Sequence, residues 1–204
     1  LFRLNKKSNQ LHNNCAGKHL AMITASLINK YNTSSYLDFN HPHQIEIRKV
    51  FEKFTNKKIK KNNFGIDGCS APQYSFKIKE ISTMLNNLFK CYHNKFYYND
   101  EINILINCII NNPNYIGGTD SLDSKIMSIA KKRVFCKGGA EGVFLFVDLK
   151  KGITGVIKVI DGNERAIPPL IYKLFKRFNI MNNRELKEFK NYYSFQIVNH
   201  ANII

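Results

Sequence analysis

Apolar residues recur at helical spacing through the first two thirds of the chain and gather into short β-rich runs after it. Leu20, Ile23, Leu27 and Tyr31 predict a helix from about Cys15 to Tyr31, with Asn13 and Asn14 as N-cap candidates. After a Ser-rich loop, Pro42 opens a second predicted helix that ends near Phe54. The lysine-rich stretch 57–63 reads as an exposed connection, and 64–72 as a strand end entering a turn, where two glycines allow close backbone approach. Helices are predicted over Lys77–Lys90, with Leu85, Leu88 and Phe89 inward, over Asp100–Asn111 and over Lys125–Lys131, the last preceded by a turn at Gly117–Asp120. Gly142–Asp148 and Ile153–Asp161 flank Lys150-Lys151-Gly152 as an antiparallel hairpin. A helix over Ile167–Phe178 and a last strand over Tyr192–Val198 complete the reading. With no internal repeat and no low-complexity linker, the expected fold class is α+β in a single domain.

Composition changes this picture little. The 204 residues are 44% hydrophobic, enough for a core, and no stretch approaches the ~18 consecutive apolar residues of a membrane helix. Lys and Arg number 31 against 15 Asp and Glu, a formal net charge of +16. The excess is scattered, gathering only at Lys57–Lys61 and Lys131–Arg133, and Asn makes up about one residue in eight. Such a pattern is compositional bias and solubility before it is recognition of phosphate, so no nucleic-acid partner is expected, and a basic nucleic-acid-binding module is the alternative to an enzyme. Five cysteines, no secretory signal and no dense spacing argue against a disulfide framework and for a reducing, cytoplasmic setting. The chain starts at Leu1 and stops at Ile204 inside an apolar run, which leads us to expect a fragment, incomplete at both ends.

Three constellations carry chemistry. In Asn13-Asn14-Cys15-Ala16-Gly17-Lys18-His19, a thiol at a helix start feels the positive end of the dipole and, one turn away, Lys18, both favouring thiolate. Cys15 and His19 share a helix face, the spacing of a metal pair; a small buried Cys beside exposed Lys and His is the plainer alternative. Asp67-Gly68-Cys69 puts a carboxylate and a thiol on one tight turn, or is an ordinary Asp-Gly turn. Lys137-Gly138-Gly139-Ala140-Glu141-Gly142-Val143 lacks the ending of a phosphate-binding loop and runs into a strand. Its lysine, at a strand start, serves as a general base if neighbours and burial lower its pKa; otherwise the segment is a Gly-rich hairpin entry. Cys91, Cys108 and Cys136 are expected to pack, as are Tyr97 and Tyr98, and His41 and His43 to flank Pro42 in a loop without a chemical role.

Taken in order, these segments, with His41-Pro42-His43-Gln44, Gly118-Thr119-Asp120 and Lys158-Val159-Ile160-Asp161-Gly162-Asn163-Glu164-Arg165-Ala166, resemble the L-asparaginase II family, the rhizobial-type class 3 asparaginases, from about Leu11 onward. The resemblance implies an amidohydrolase that converts L-asparagine and water to L-aspartate and ammonia on a fold similar to serine β-lactamases and penicillin-binding proteins. It implies a zinc ion held by Cys15, Lys18 and Cys69, with His19 in place of Lys18 left open, and Asp67 shaping the site or touching substrate. It makes Lys137 the base of a serine–lysine pair whose serine is expected in a segment preceding this chain, so that the chain would be the carboxy-terminal portion of an asparaginase or a catalytically dead remnant. It implies a homo-oligomer in the complete protein. Ala16 stands where the family usually has Ser, and Ser121 where it leads one to expect Arg.

Overall fold

The computed structural model describes residues 7–93, 97–193, 200 and 201, and its chain divides into two compact units, Leu1–Lys77 and Ile78–Ile204. The architecture is mixed α/β, with helices and two small antiparallel sheets.

In the first unit α1 (Ala16–Ile28) starts where the Asn13 side chain accepts the Cys15 amide at 2.8 Å, and it ends before Lys30, whose φ of 58° takes the chain out of helical backbone. This stops the helix short of the predicted Tyr31. In α2 (Pro42–Thr55) Pro42 fixes the first turn and the His41 ring accepts the His43 amide at 3.2 Å; the other His41 ring nitrogen lies 2.9 Å from the Asn32 carbonyl. His41 is therefore a buried helix cap. Met22, Phe54 and Ala71 form the apolar interior, and buried Gln44 is satisfied by the Tyr36 carbonyl at 2.9 Å. Strands β1 (Phe64–Ile66) and β2 (Pro72–Tyr74) pair antiparallel, Phe64 opposite Tyr74 and Ile66 opposite Pro72. The 64–72 segment is thus a hairpin whose tip carries Asp67 to Ala71.

The second unit is built on strands β3 (Val134–Gly139), β4 (Val143–Asp148) and β5 (Thr154–Lys158), in the order β3-β4-β5. The predicted hairpin at Lys150–Gly152 is β4-β5. Its helices are α3 (Ile78–His93), α4 (Asn99–Asn111), the short α5 (Asn114–Gly117), α6 (Leu122–Ile129), α7 (Ile167–Arg177) and α8 (Asn183–Tyr193). Phe146 meets Phe175 of α7 edge to face at 5.0 Å on one side of the sheet, and its cross-strand neighbour Gly155 is bare because a Cβ there would lie 2.3 Å from the Phe146 ring. From the neighbouring position the Thr154 hydroxyl reaches Asn86 of α3 at 2.8 Å. Side chains alternate across the pleat, so helices cover both faces.

Three expectations are corrected here. The helix expected over Lys125–Lys131 begins at Leu122, capped by Ser121, and stops at Ile129 because Lys131 and Lys132 adopt positive φ. Lys137 lies inside β3, not at a strand start. The last strand expected over Tyr192–Val198 begins on residues that belong to α8, and 194–198 lie outside the described residues. Cys91 and Cys136 are buried and Cys108 is exposed, none of the five cysteines is in a disulfide, and Tyr97 and Tyr98 stack edge to face. Among the described residues no helix is long and apolar enough to cross a membrane.

Candidate functional site

The first unit joins two of the predicted constellations. The amino-terminal turn of α1 supplies Cys15 and Lys18, and the β1-β2 hairpin tip supplies Asp67 and Cys69. The tip is shaped around one carboxylate. Asp67 Oδ1 accepts the Cys69 amide at 3.0 Å, the Cys69 thiol at 3.0 Å and the Ala71 amide at 2.9 Å, while the Asp67 carbonyl accepts the Ser70 amide at 3.0 Å. Ser70 takes a φ of 70° to close the turn. The other oxygen, Oδ2, receives Lys18 Nζ at 2.9 Å. Cys69 lies close enough to Cys15 and Lys18 to raise the pKa of each. His19 points elsewhere: its Nδ1 lies 2.6 Å from the Tyr36 hydroxyl, and the two rings meet edge to face. Beside this group opens a cleft of about 410 Å³, lined by Asn13, His19, Tyr36, Cys69 and Ser70 with Leu11 and Leu20.

The electrostatics of the group follow from its hydrogen bonds. Desolvation works to raise the Asp67 carboxyl, but the Cys69 thiol, Lys18 and the amides of Ala71 and Cys69 outweigh it and hold the group well below the usual carboxylate range. Burial pulls Lys18 down, yet its contacts with Asp67 and Cys69 leave it raised. The Cys15 thiol is also raised, first by its hydrogen bond with Cys69 and then by burial, with Lys18 opposing. The helix-start argument led us to expect an acidified thiol; the charge of Lys18 is instead shared with Asp67, whose negative charge also reaches Cys15.

The third constellation lies in the second unit. Lys137 Nζ bonds the Gly138 carbonyl and sits 3.5 Å from Asp123 Oδ2. Asp123 is the residue that sequence reasoning missed. It is buried in the first turn of α6 and is held by the Gly138 amide at 3.2 Å and the Ser124 amide at 3.0 Å. The signal that pointed to it was Gly117, where a Cβ would fall 2.0 Å from Asp123 Oδ1 and 2.1 Å from Ser121 Oγ. Beyond Lys137, Glu141 (φ 60°) and Gly142 (φ 66°) turn β3 into β4, and Lys158 Nζ ties the turn down through the Glu141 carbonyl at 2.6 Å. One Ser-x-x-Lys does occur, Ser128 to Lys131, but Ser128 donates its hydroxyl to the Ser124 carbonyl at 2.8 Å and Lys131 lies past the end of α6.

Among the described residues no group of three or more His, Cys, Asp or Glu side chains is placed to hold a metal ion. The expected zinc set has only two such donors, the Cys15 and Cys69 thiols, with the Lys18 nitrogen as its third. A sequence model of the L-asparaginase II family matches residues 1–203. No curated protein matches the chain.

Proposed function

The chain belongs to the L-asparaginase II family, and from that membership we propose that it carries part of the catalytic machinery of an asparaginase-type amidohydrolase acting on L-asparagine. The observation that carries the reading is the convergence of Cys15, Lys18 and Cys69 on Asp67, bringing together residues 49 positions apart in the sequence. Two neighbouring thiols and a lysine nitrogen beside them fit a zinc ion in donor chemistry, since zinc favours sulfur and nitrogen ligands. Zinc held by Cys15, Lys18 and Cys69 would supply Lewis-acid polarisation of the amide carbonyl. Lys18 would have to give up its proton to solvent to serve there, a loss that a bound cation favours, while Asp67 Oδ2 at 2.9 Å holds the lysine beside the two sulfurs. Asp67 also fixes the direction of the Cys69 sulfur through its thiol and amide bonds. Lys137 presents an amine at a strand edge, where it would hold or move a proton for a serine nucleophile. The three-stranded antiparallel sheet with helices on both faces supports a β-lactamase-like architecture, and five cysteines outside disulfides support a reducing setting. A homo-oligomer is part of the same reading.

Metal analysis of the purified chain tests the centre directly. About one zinc per chain is expected, lost in Cys15→Ala and in Cys69→Ala; a metal-free chain removes the zinc. Ammonia release from L-asparagine that persists in Lys137→Ala removes the role given to Lys137.

A further inference from the structure

Lys137 projects from β3, an edge strand of the three-stranded sheet, and its side chain is about half exposed, at 47%. A lysine in that setting is ordinarily free to sample many rotamers, because its ammonium is well hydrated on a flexible four-carbon stem. Here two acceptors fix it. One is the carbonyl of the next residue, Gly138, and the other is Asp123 Oδ2 at 3.5 Å. The same Oδ2 receives the Gly138 amide at 3.2 Å, so the carboxylate is registered to the strand that carries the lysine.

The carboxylate is held at least as firmly as the lysine. Its side chain is 5% exposed, and its other oxygen faces the bare backbone of Gly117, where any Cβ would collide with it. Ser121, the cap of α6, flanks it and donates its hydroxyl to Ser124 Oγ at 2.8 Å, which in turn donates to the Pro113 carbonyl at 2.8 Å. Three elements, α5, α6 and β3, therefore specify where this one carboxylate lies. The first turn of a helix also favours a negative charge. Such provision around a buried acid whose cation is half in water exceeds what an ordinary surface ion pair needs.

We propose that Asp123 is the positioning residue for Lys137, clamping the lysine amine against the edge of β3 so that it is presented in one direction. The proposal rests on the role given above to Lys137 and assigns Asp123 no contact with substrate. With one N–H donated to the Gly138 carbonyl and the ammonium drawn towards Asp123 Oδ2, the direction in which the amine is presented is set by the fold. A base or proton donor oriented in this way avoids the entropy of being ordered during the reaction.

The test is nuclear magnetic resonance of the full chain with lysine labelled at Cε, read at Lys137. In the wild type the two Hε protons are expected to be inequivalent, as in a side chain held in one rotamer, and in Asp123→Asn they are expected to merge. Merged Hε signals in the wild type, or inequivalence that survives in Asp123→Asn, overturns the proposal; the first of these needs no variant and so does not depend on Asp123→Asn folding. In parallel, ammonia-release kinetics should show kcat reduced tenfold or more in Asp123→Asn with KM changed less than twofold, as expected when a group acting in the transition state is misaimed. An unchanged kcat overturns the proposal. If the wild type releases no ammonia while its Hε signals are inequivalent and merge in Asp123→Asn, the clamp stands and the asparaginase reading alone fails.

Discussion

Two aspartate–lysine pairs organise this chain, one in each compact unit, and their cations are almost equally exposed: Lys18 at 44% and Lys137 at 47%. The carboxylates differ. Asp67 is 21% exposed and sits at a hairpin tip, where one oxygen collects two amides and a thiol from its own loop. Asp123 is 5% exposed and sits where a helix start meets a strand, with each amide it accepts drawn from a different element. The first carboxylate shapes local structure and receives a distant lysine as a visitor. The second joins separately folded elements, so its partners have no alternative if it is removed. Exposure of the carboxylate, and not of the lysine, decides how much each pair matters to the fold, because water can replace what Asp67 provides and cannot reach what Asp123 provides.

Alanine at each aspartate is the strongest way to break this comparison. Asp123→Ala strands the Gly138 and Ser124 amides and should cost about 3 kcal/mol, read as a fall in the midpoint of chemical denaturation of the second unit. Asp67→Ala opens a tip that water can enter, and about 1–2 kcal/mol is expected. Equal costs would mean that burial of the acceptor is not the deciding factor. The acid dependence has one sign at both places. Asp67 and Asp123 are held below their ordinary pKa, so the stability they contribute is present above the unfolded value of about 3.9 and is lost as pH falls through the folded value.

A finer contrast uses the glycines beside the two carboxylates. Alanine at Gly117 places its Cβ 2.0 Å from Asp123 Oδ1, and displacing a firmly bonded carboxylate should cost about 1–3 kcal/mol. Alanine at Gly68, next to Asp67, meets nothing within 4 Å, and its effect should stay within ~0.5 kcal/mol. Denaturation curves of the two variants side by side provide the check; a mild Gly117→Ala would show that Asp123 has room to move, contrary to the tight seat described above.

How far the sequence discloses these features depends on the range of the interactions behind them. Helix α3 was legible because Leu85, Leu88 and Phe89 repeat at helical spacing, and the β4-β5 hairpin because Lys150-Lys151-Gly152 separates two β-rich runs. Helix α8 was missed: it is strongly polar, it buries Leu186 and Phe189 one turn apart, and the aromatic residues at its end read as the start of a strand. Strand β2 was missed because it is three residues long and opens with Pro72. Cys15, Lys18, Asp67 and Cys69 were each visible as motifs, but their meeting depends on a contact across 49 residues that no local pattern encodes. Asp123 looked like any acid in a first helical turn. Its importance lies in the missing side chain of Gly117 six residues earlier, and that is visible only in three dimensions.

The smallest expected effect tests the claim that Lys18 is a visitor. Lys18→Met removes the cation and keeps much of the apolar stem, while Asp67 keeps the Cys69 and Ala71 donors on Oδ1. A pair whose lysine is 44% exposed should be worth less than ~1 kcal/mol, and that difference should shrink further at about 1 M salt, where the Debye length is about 3 Å. It should also vanish in acid once Asp67 is protonated in both proteins, because the lysine then has no charge to pair with. Denaturation of chelator-treated protein at low and high salt measures this without contribution from bound metal. The matching change, Lys137→Met, leaves a carboxylate that is almost out of water without its cation, so its cost should be larger and should resist salt. If the two methionine variants instead lose the same stability with the same salt dependence, then the lysines and not the carboxylates set the strength of both pairs, and the contrast between the hairpin tip and the helix–strand junction collapses.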